Sequence, residues 1–342
     1  MASPKRALIC GVAGQDGALL ARLLVGEGYE VFGTSRDAET ASFRNLDALG
    51  IRDHVRTVSM TLTDFRSVLQ VISHVRPDEV YNLAGQTSVG LSFALPVETL
   101  ESISVGTLNL LEVLRFTALP ARLYNACSTE CFGSTGGAPA DEETAFRPRS
   151  PYAVAKAAAF WQVATYREAY GLFACSGILS NHESALRPER FVTQKIVAAA
   201  CRIAGGSPER LLLGNVDVVR DWGWADEYVR AMHAMLQQPA PDDFVIATGE
   251  SRSLAAFVAD AFACAGLDWR DHVSTSPSLL RPSDHAESRL DASKAARVLG
   301  WTATTRGADV ARRLVEARLG RAHDGATAAP PAVTDVARAP AQ

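Results

Sequence analysis

The stretch Ala7-Leu8-Ile9-Cys10-Gly11-Val12-Ala13-Gly14-Gln15-Asp16-Gly17-Ala18-Leu19-Leu20 decides the fold. A short apolar run leads into a GxxGxxG pattern, and the segment that follows, Gly17 to Glu27, sets Leu19, Leu20, Leu23 and Leu24 on one helical face. Side chains at Gly11, Gly14 and Gly17 would block a tight turn and the close approach of a pyrophosphate, whose charge meets unpaired amide donors at the positive end of a helix. Strand, glycine loop and amphipathic helix in that order predict a dinucleotide site.

Working outward, the first half alternates short branched apolar runs with longer helical patterns. Ala7 to Cys10, Glu30 to Thr34, Val55 to Ser59, Val80 to Leu83, Leu123 to Ala126 and Phe173 to Leu179 read as strands. The alternation predicts an α/β fold, a doubly wound parallel sheet of Rossmann type covered by helices on both faces. After Leu179 the rhythm becomes irregular, with polar loops carrying isolated Arg, Lys and Asn, as suits a smaller lobe that grips a substrate. One more strand is predicted at Phe244 to Ala247, with helices at Ser253 to Ala265 and near Gly307 to Leu319. We expect a dinucleotide-binding domain from 1–180 and 217–249, interleaved with a smaller α/β substrate-binding domain from 181–216 and 250–320. From Ala322 onward the chain is Ala/Pro-rich without Leu, Ile or Phe, so 321–342 is expected to be a disordered tail.

The 342 residues are 47% hydrophobic and 21% charged, which excludes long disorder, collagen and disulfide scaffolds. A formal charge of -4 is too small a bias for a protein that binds nucleic acid through bulk electrostatics. The six cysteines show no zinc-site spacing, so no metal is expected, and they read as reduced thiols of a cytoplasmic protein. The N-terminus lacks a signal-peptide h-region, and no stretch is apolar enough to predict a membrane span.

Two segments carry chemistry. In Ser150-Pro151-Tyr152-Ala153-Val154-Ala155-Lys156, Ser150 suits a helix N-cap and Pro151 the first helical position, which puts Tyr152 and Lys156 one turn apart on the same face. A tyrosine becomes a useful base when its phenol titrates below its ordinary value. The Lys156 ammonium, with the positive ring of an oxidised nicotinamide, is expected to favour the phenolate. The fifth strand runs into Ser128-Thr129-Glu130, at the strand end where such sheets place ligands. There Ser128 can hydrogen-bond a reacting oxygen, and Glu130 adds a carboxylate that simple alcohol oxidation does not require; an extra acid/base suggests proton abstraction beside a newly formed ketone. Cys127 and Cys131 read as inert buried thiols. At the end of the second strand stands Arg36-Asp37, a mixed signal: Arg36 favours NADP, and Asp37 keeps NAD as the alternative.

These motifs resemble the extended short-chain dehydrogenase/reductase superfamily. The runs GQDG at 14–17, PDEVYNLAGQ at 77–86, PRSPYAVAK at 148–156, SGILSNHES at 176–184, FVTQKI at 191–196 and RDWG at 220–223 are similar to the GDP-mannose 4,6-dehydratase family. The resemblance implies a lyase that converts GDP-mannose to GDP-4-dehydro-6-deoxy-D-mannose by C4 oxidation, loss of water across C5 and C6, and return of the hydride to C6. Within it Ser128, Glu130, Tyr152 and Lys156 would be catalytic. Gly11, Gly14, Gln15, Asp16, Gly17, Arg36, Leu62, Leu83, Ala84, Gln86, His182 and Arg187, with Tyr152 and Lys156, would contact the cofactor. Ser88, Asn181, Lys195, Arg220, Arg281 and Asp284 would hold the GDP-sugar.

The chain departs from the family at Asp37-Ala38-Glu39, Thr61, Glu98, Pro188 and Asp284, which bears on the cofactor and on assembly; a homodimer is expected, with a homotetramer as the alternative. Three other functions compete. A GDP-manno-heptose dehydratase would differ only in pocket shape, an NADPH-dependent reductase would consume the 4-keto sugar, and a silent binding protein would have lost the catalytic groups that this chain keeps.

Overall fold

Strands covered by helices on both faces need apolar residues at every position rather than at alternate ones. That is why the strands of the first half read as unbroken runs. The computed structural model describes residues 3–320, and the predicted tail at 321–342 lies outside the described residues. Its strands are β1 (Arg6–Cys10), β2 (Glu30–Ser35), β3 (Val55–Ser59), β4 (Glu79–Asn82), β5 (Arg122–Ser128), β6 (Ala174–Leu179), β7 (Asn181–Glu183), β8 (Leu211–Leu213), β9 (Val219–Trp224), β10 (Phe244–Ile246), β11 (Ser251–Ser253) and β12 (Val273–Thr275). β1 is buried at every residue after Arg6, and β6 along its whole length.

Seven strands form one sheet in the order β10-β6-β5-β4-β1-β2-β3. All of its pairings are parallel. The chain winds outward from β1 to β3, crosses back to β4 beside β1, and winds outward the other way. The strand order therefore reverses between β1 and β4, which opens a ligand crevice at their carboxyl ends. On one face Leu19, Leu20 and Leu24 of helix Gln15–Gly26 pack with Tyr228, Met232 and Met235 of helix Ala225–Leu236. On the other face Val68 and Ile72 pack with Leu110, Leu111 and Leu114.

The region after Leu179 corrects the expectation of irregular loops. It holds helices Val192–Ala204 and Ala225–Leu236, a three-stranded sheet in the order β11-β9-β7, and the pair β12-β8. Helix Val192–Ala204 is alanine-rich, and its buried stripe of Ile196, Val197, Ala200 and Ile203 is diluted by Lys195 and Arg202. β7, β8, β11 and β12 have three residues each, too few for a periodicity to register. In β9 the buried Arg220 and Asp221 mask the strand pattern. β9, expected with the dinucleotide domain, pairs parallel with β7 and antiparallel with β11. Its Trp222 enters a separate core with Ile196, Phe257, Phe262 and Leu314. The next helix, Ala225–Leu236, returns to the large sheet.

Candidate active site

The glycine loop sits at the strand-order reversal. Gly11 has φ +84°, and a Cβ there would stand 3.1 Å from the Ala84 Cα at the end of β4. A Cβ on Gly17 would lie 2.4 Å from the Gly11 carbonyl oxygen. No side chain caps helix Gln15–Gly26 at Gly14. Backbone can therefore approach a ligand closely at a helix N-terminus, which fits a dinucleotide pyrophosphate. Leu83 and Ala84 line the same mouth, while the Leu62 carbonyl accepts from Asn109 Nδ2 at 2.8 Å. Gln86 Nε2 donates to Ser88 O at 2.8 Å, and Ser88 Oγ accepts from Leu91 N at 3.2 Å as the cap of the following helix.

The polar residues of the loop are tied to β7 and the turn after it. Gln15 Nε2 donates to the His182 carbonyl at 3.1 Å, Ser184 Oγ donates to Gln15 Oε1 at 2.9 Å, and Arg187 Nη1 donates to the His182 carbonyl at 2.9 Å. His182 stacks on Tyr228 with ring centres 4.6 Å apart. Its Nε2 is 3.0 Å from Asp16 Oδ2 and its Nδ1 is 2.7 Å from Ser180 O. Both ring nitrogens face acceptors, a setting that suits the doubly protonated ring. Burial pulls the His182 imidazole down, but Asp16 outweighs it and the net shift is upward. For Asp16 burial acts upward, yet His182 brings it down to about 2.

At the end of β2, Arg36 is exposed. Asp37 is occupied locally: its carboxylate accepts from Glu39 N at 2.9 Å, from Thr40 N at 3.2 Å and from Thr40 Oγ1 at 2.7 Å. The Thr40 hydroxyl, with those amides, holds the Asp37 carboxyl below its ordinary range.

Ser128 closes β5, and helix Pro151–Tyr170 begins as its sequence predicts, with Ser150 Oγ accepting from Ala153 N at 3.1 Å and proline at the first position. Tyr152 and Lys156 are both buried, and Lys156 Nζ stands 5.9 Å from the Tyr152 ring centre. The ammonium donates to the Ala126 carbonyl at 2.6 Å. Burial raises the Tyr152 phenol well above its ordinary value, with the hydrogen bond to Ser128 pulling against it, and lowers Lys156. Among the protein's own groups desolvation outweighs charge at both side chains. Beneath the helix, Cys127 and Cys131 lie 3.7 Å apart, and burial pushes the Cys131 thiol far up, the state of an inert thiol.

Glu130 follows Ser128 in the turn Thr129–Cys131 and meets the second lobe. Arg220 of β9 places Nε 3.5 Å from Glu130 Oε1 and Nη2 2.6 Å from Asp284 Oδ1. Arg281 Nη1 reaches Asp284 Oδ2 at 3.2 Å. Of the predicted sugar-binding residues, Arg220 thus meets Glu130, and Asp284, held by Arg220 and Arg281, stands close to it. Lys195 Nζ donates to the Leu212 carbonyl at 2.8 Å, and Asn181 pairs in register with Trp222. The sequence reading missed His285, whose Nδ1 lies 3.8 Å from Glu130 Oε2. A lone histidine in a polar loop carries no spacing signal; its adjacency to Asp284 was the only pointer.

The family profile described as GDP-mannose 4,6 dehydratase matches residues 8–314. The chain belongs to the GDP-mannose 4,6-dehydratase family. It is 45% identical over 307 residues to "GDP-mannose 4,6 dehydratase 2" of Arabidopsis thaliana, covering 87% of this chain and 82% of that protein. It is 41% identical over 339 residues to "GDP-mannose 4,6-dehydratase" of Sinorhizobium fredii (strain HH103), covering 92% of this chain and 97% of the relative. The fold is shared with dTDP-glucose 4,6-dehydratase from Streptomyces venezuelae, solved with NAD, at TM-score 0.82 and 23% identity over 92% of this chain and 98% of that one. It is also shared with UDP-glucose 4-epimerase of Thermus thermophilus, solved with NAD, at TM-score 0.79 and 27% identity over 93% of this chain and 100% of that one. Among the described residues no helix is long and apolar enough to cross a membrane.

The Asp16–His182 pair yields a pH prediction. A raised histidine stabilises fully below its ordinary value of 6.5 and loses that contribution as pH rises through the folded value. A depressed carboxylate stabilises above its ordinary 3.8 and loses that contribution as pH falls through about 2. Thermal melts of Asp16→Asn should therefore fall furthest below the parent between about pH 4 and pH 6.5, with the gap narrowing in alkaline buffer. A gap that does not vary with pH would show that the pair is not ionised.

Proposed function

We propose that the protein is a GDP-mannose 4,6-dehydratase that works with NADP. The observation that carries this reading is the meeting of two acid/base centres at the end of β5. The Ser128 side chain pulls the buried Tyr152 phenol downward, and two residues further along Glu130 faces Arg220 of β9. A single hexose lying across that strand end would meet both centres. The glycine loop opens beside it, and solved proteins of this fold carry NAD or NADPH.

Ser128 Oγ holds the sugar C4 oxygen, and Tyr152 Oη takes the proton from it. A nicotinamide cofactor, which the glycine loop from Gly11 to Gly17 with Tyr152 and Lys156 would hold, would supply reversible hydride transfer with no net change of its redox state over a turnover. Lys156 supplies a positive charge that favours the phenolate once it turns from the Ala126 carbonyl. The new C4 ketone acidifies the C5 hydrogen. Glu130 removes that proton and delivers one to the leaving C6 hydroxyl, so that water departs and a C5–C6 double bond forms. When hydride reaches C6, Glu130, reprotonated from solvent, passes a proton to C5, and the proton that Tyr152 took from the C4 hydroxyl is released to solvent. Arg220 and Arg281 present guanidinium groups suited to the diphosphate, and Lys195 a third cation. A water-eliminating enzyme needs the second acid/base that Glu130 supplies, whereas a reductase could work with Tyr152 alone.

NADP is favoured over NAD by the β2 terminus. Asp37, the residue that would take the ribose hydroxyls, has its carboxylate engaged by Glu39 and Thr40. Arg36 is exposed beside it. A 2′-phosphate would therefore meet a cation at that corner.

Purified protein given GDP-mannose with only catalytic NADP should form the 4-keto product without net change in reduced nicotinamide. Glu130→Gln should slow product formation by about 10²-fold or more while reduced nicotinamide accumulates, because C4 oxidation survives and elimination does not. Dehydration at the parent rate would remove Glu130 from the C5 step. Arg36→Ala should weaken NADP about tenfold or more and leave NAD unaffected; equal losses for both would assign Arg36 to folding rather than to the phosphate.

A further inference from the structure

His285 has no part in the mechanism above, yet its position is specific. The side chain is 2% exposed, and Nδ1 lies 3.8 Å from Glu130 Oε2. Among the described residues that buried nitrogen has no hydrogen-bond partner. The other oxygen of the same carboxylate faces Arg220 Nε at 3.5 Å. The ring stays in place because its own backbone N–H donates to Asp284 Oδ1 at 3.0 Å, and Asp284 is in turn held by Arg220 and Arg281. Nδ1 also lies 3.9 Å from Asp284 Oδ1, but that oxygen already accepts from Arg220 Nη2 and the His285 backbone N–H, so Glu130 Oε2 is the acceptor that a small rotation of either side chain would bring to the orphaned nitrogen.

We propose that His285 is a positioning residue for Glu130: its Nδ1–H donates to Oε2, so that imidazole and Arg220 clamp the two carboxylate oxygens and leave the remaining lone pairs free to accept a proton from the sugar.

The charged and titratable groups that face the ring are Glu130, Arg220, Asp284 and Arg281. Burial lowers the imidazole below its ordinary value, against the upward pull of Glu130, so the ring is neutral at neutral pH and keeps one N–H to donate. Glu130, Asp284 and His285 could together be read as metal ligands, since their ligand atoms lie within 4.8 Å of one another. The Arg220 guanidinium already balances both carboxylates, however, and a divalent cation would have to sit against that fixed charge. A neutral donor fits where a second cation does not.

The inference rests on the dehydratase reading for its kinetics but not for its contact. Nitrogen-15 NMR of histidine-labelled protein should find His285 as the Nδ1–H tautomer, and in Glu130→Gln its titration should move about one pH unit lower. An unchanged titration would overturn the contact whatever the substrate proves to be. In kinetics, His285→Val should lower kcat about tenfold with KM within about twofold, and reduced nicotinamide should build up as the C5 step falls behind C4 oxidation. His285→Asn, whose amide N–H can occupy the Nδ1 position, should recover most of kcat. Equal impairment of the two variants, or no accumulation of reduced nicotinamide in His285→Val, would reduce His285 to a packing role. Parent protein that leaves GDP-mannose untouched would instead defeat the dehydratase reading, while the NMR arm would still decide the Glu130–His285 contact.

Discussion

The buried guanidinium of Arg220 is the constraint on which the site depends. A cation removed from water is tolerated only where counter-charges surround it. Arg220 finds Glu130 at the end of the large sheet's central region and Asp284 in a late loop of the smaller lobe. Neither carboxylate is close to Arg220 in sequence. One ion therefore joins β5, β9 and the loop before β-bridge residue Glu287, and the lobes cannot separate without exposing it or leaving a carboxylate unpaired. The Asp16–His182 contact does the same on the cofactor side, where the glycine loop of the large sheet meets β7. Two ion contacts thus bracket the crevice, one beside the glycine loop and one beside Glu130.

Between these brackets the electrostatics are less settled than the Tyr-x-x-x-Lys spacing implies. Lys156 bonds a backbone carbonyl, and the Tyr152 phenol is raised by its own burial. Charge from a ligand must therefore complete the base. That coupling has a functional logic: a phenolate formed only when an oxidised nicotinamide lies alongside would keep the proton step tied to the hydride step.

Much of this was readable from the chain. The large sheet announced itself because strands buried on both faces give continuous apolar runs, and the glycine loop because its geometry excludes side chains. Ser128, Tyr152 and Lys156 were legible because strand end and helix cap have local signatures. The smaller lobe was not. Its strands are too short for periodicity, β9 carries Arg220 and Asp221 in its interior, and helix Val192–Ala204 hides its buried stripe among alanines. The engagement of Asp37 by Thr40 is a local turn that the mixed signal at Arg36-Asp37 did not reveal. His285 was invisible for the simplest reason: its meaning lies in a neighbour that is far away in sequence and close in space.

The central claim is that one hexose ring meets both acid/base centres within a single closed redox cycle. GDP-mannose carrying deuterium at C4, turned over in ordinary water with excess unlabelled NADP, tests it directly by NMR of the product. The account predicts that the label moves to C6 of the same molecule and that C5 takes its hydrogen from solvent. Label lost from the sugar, or recovered in the free nicotinamide pool, would contradict it.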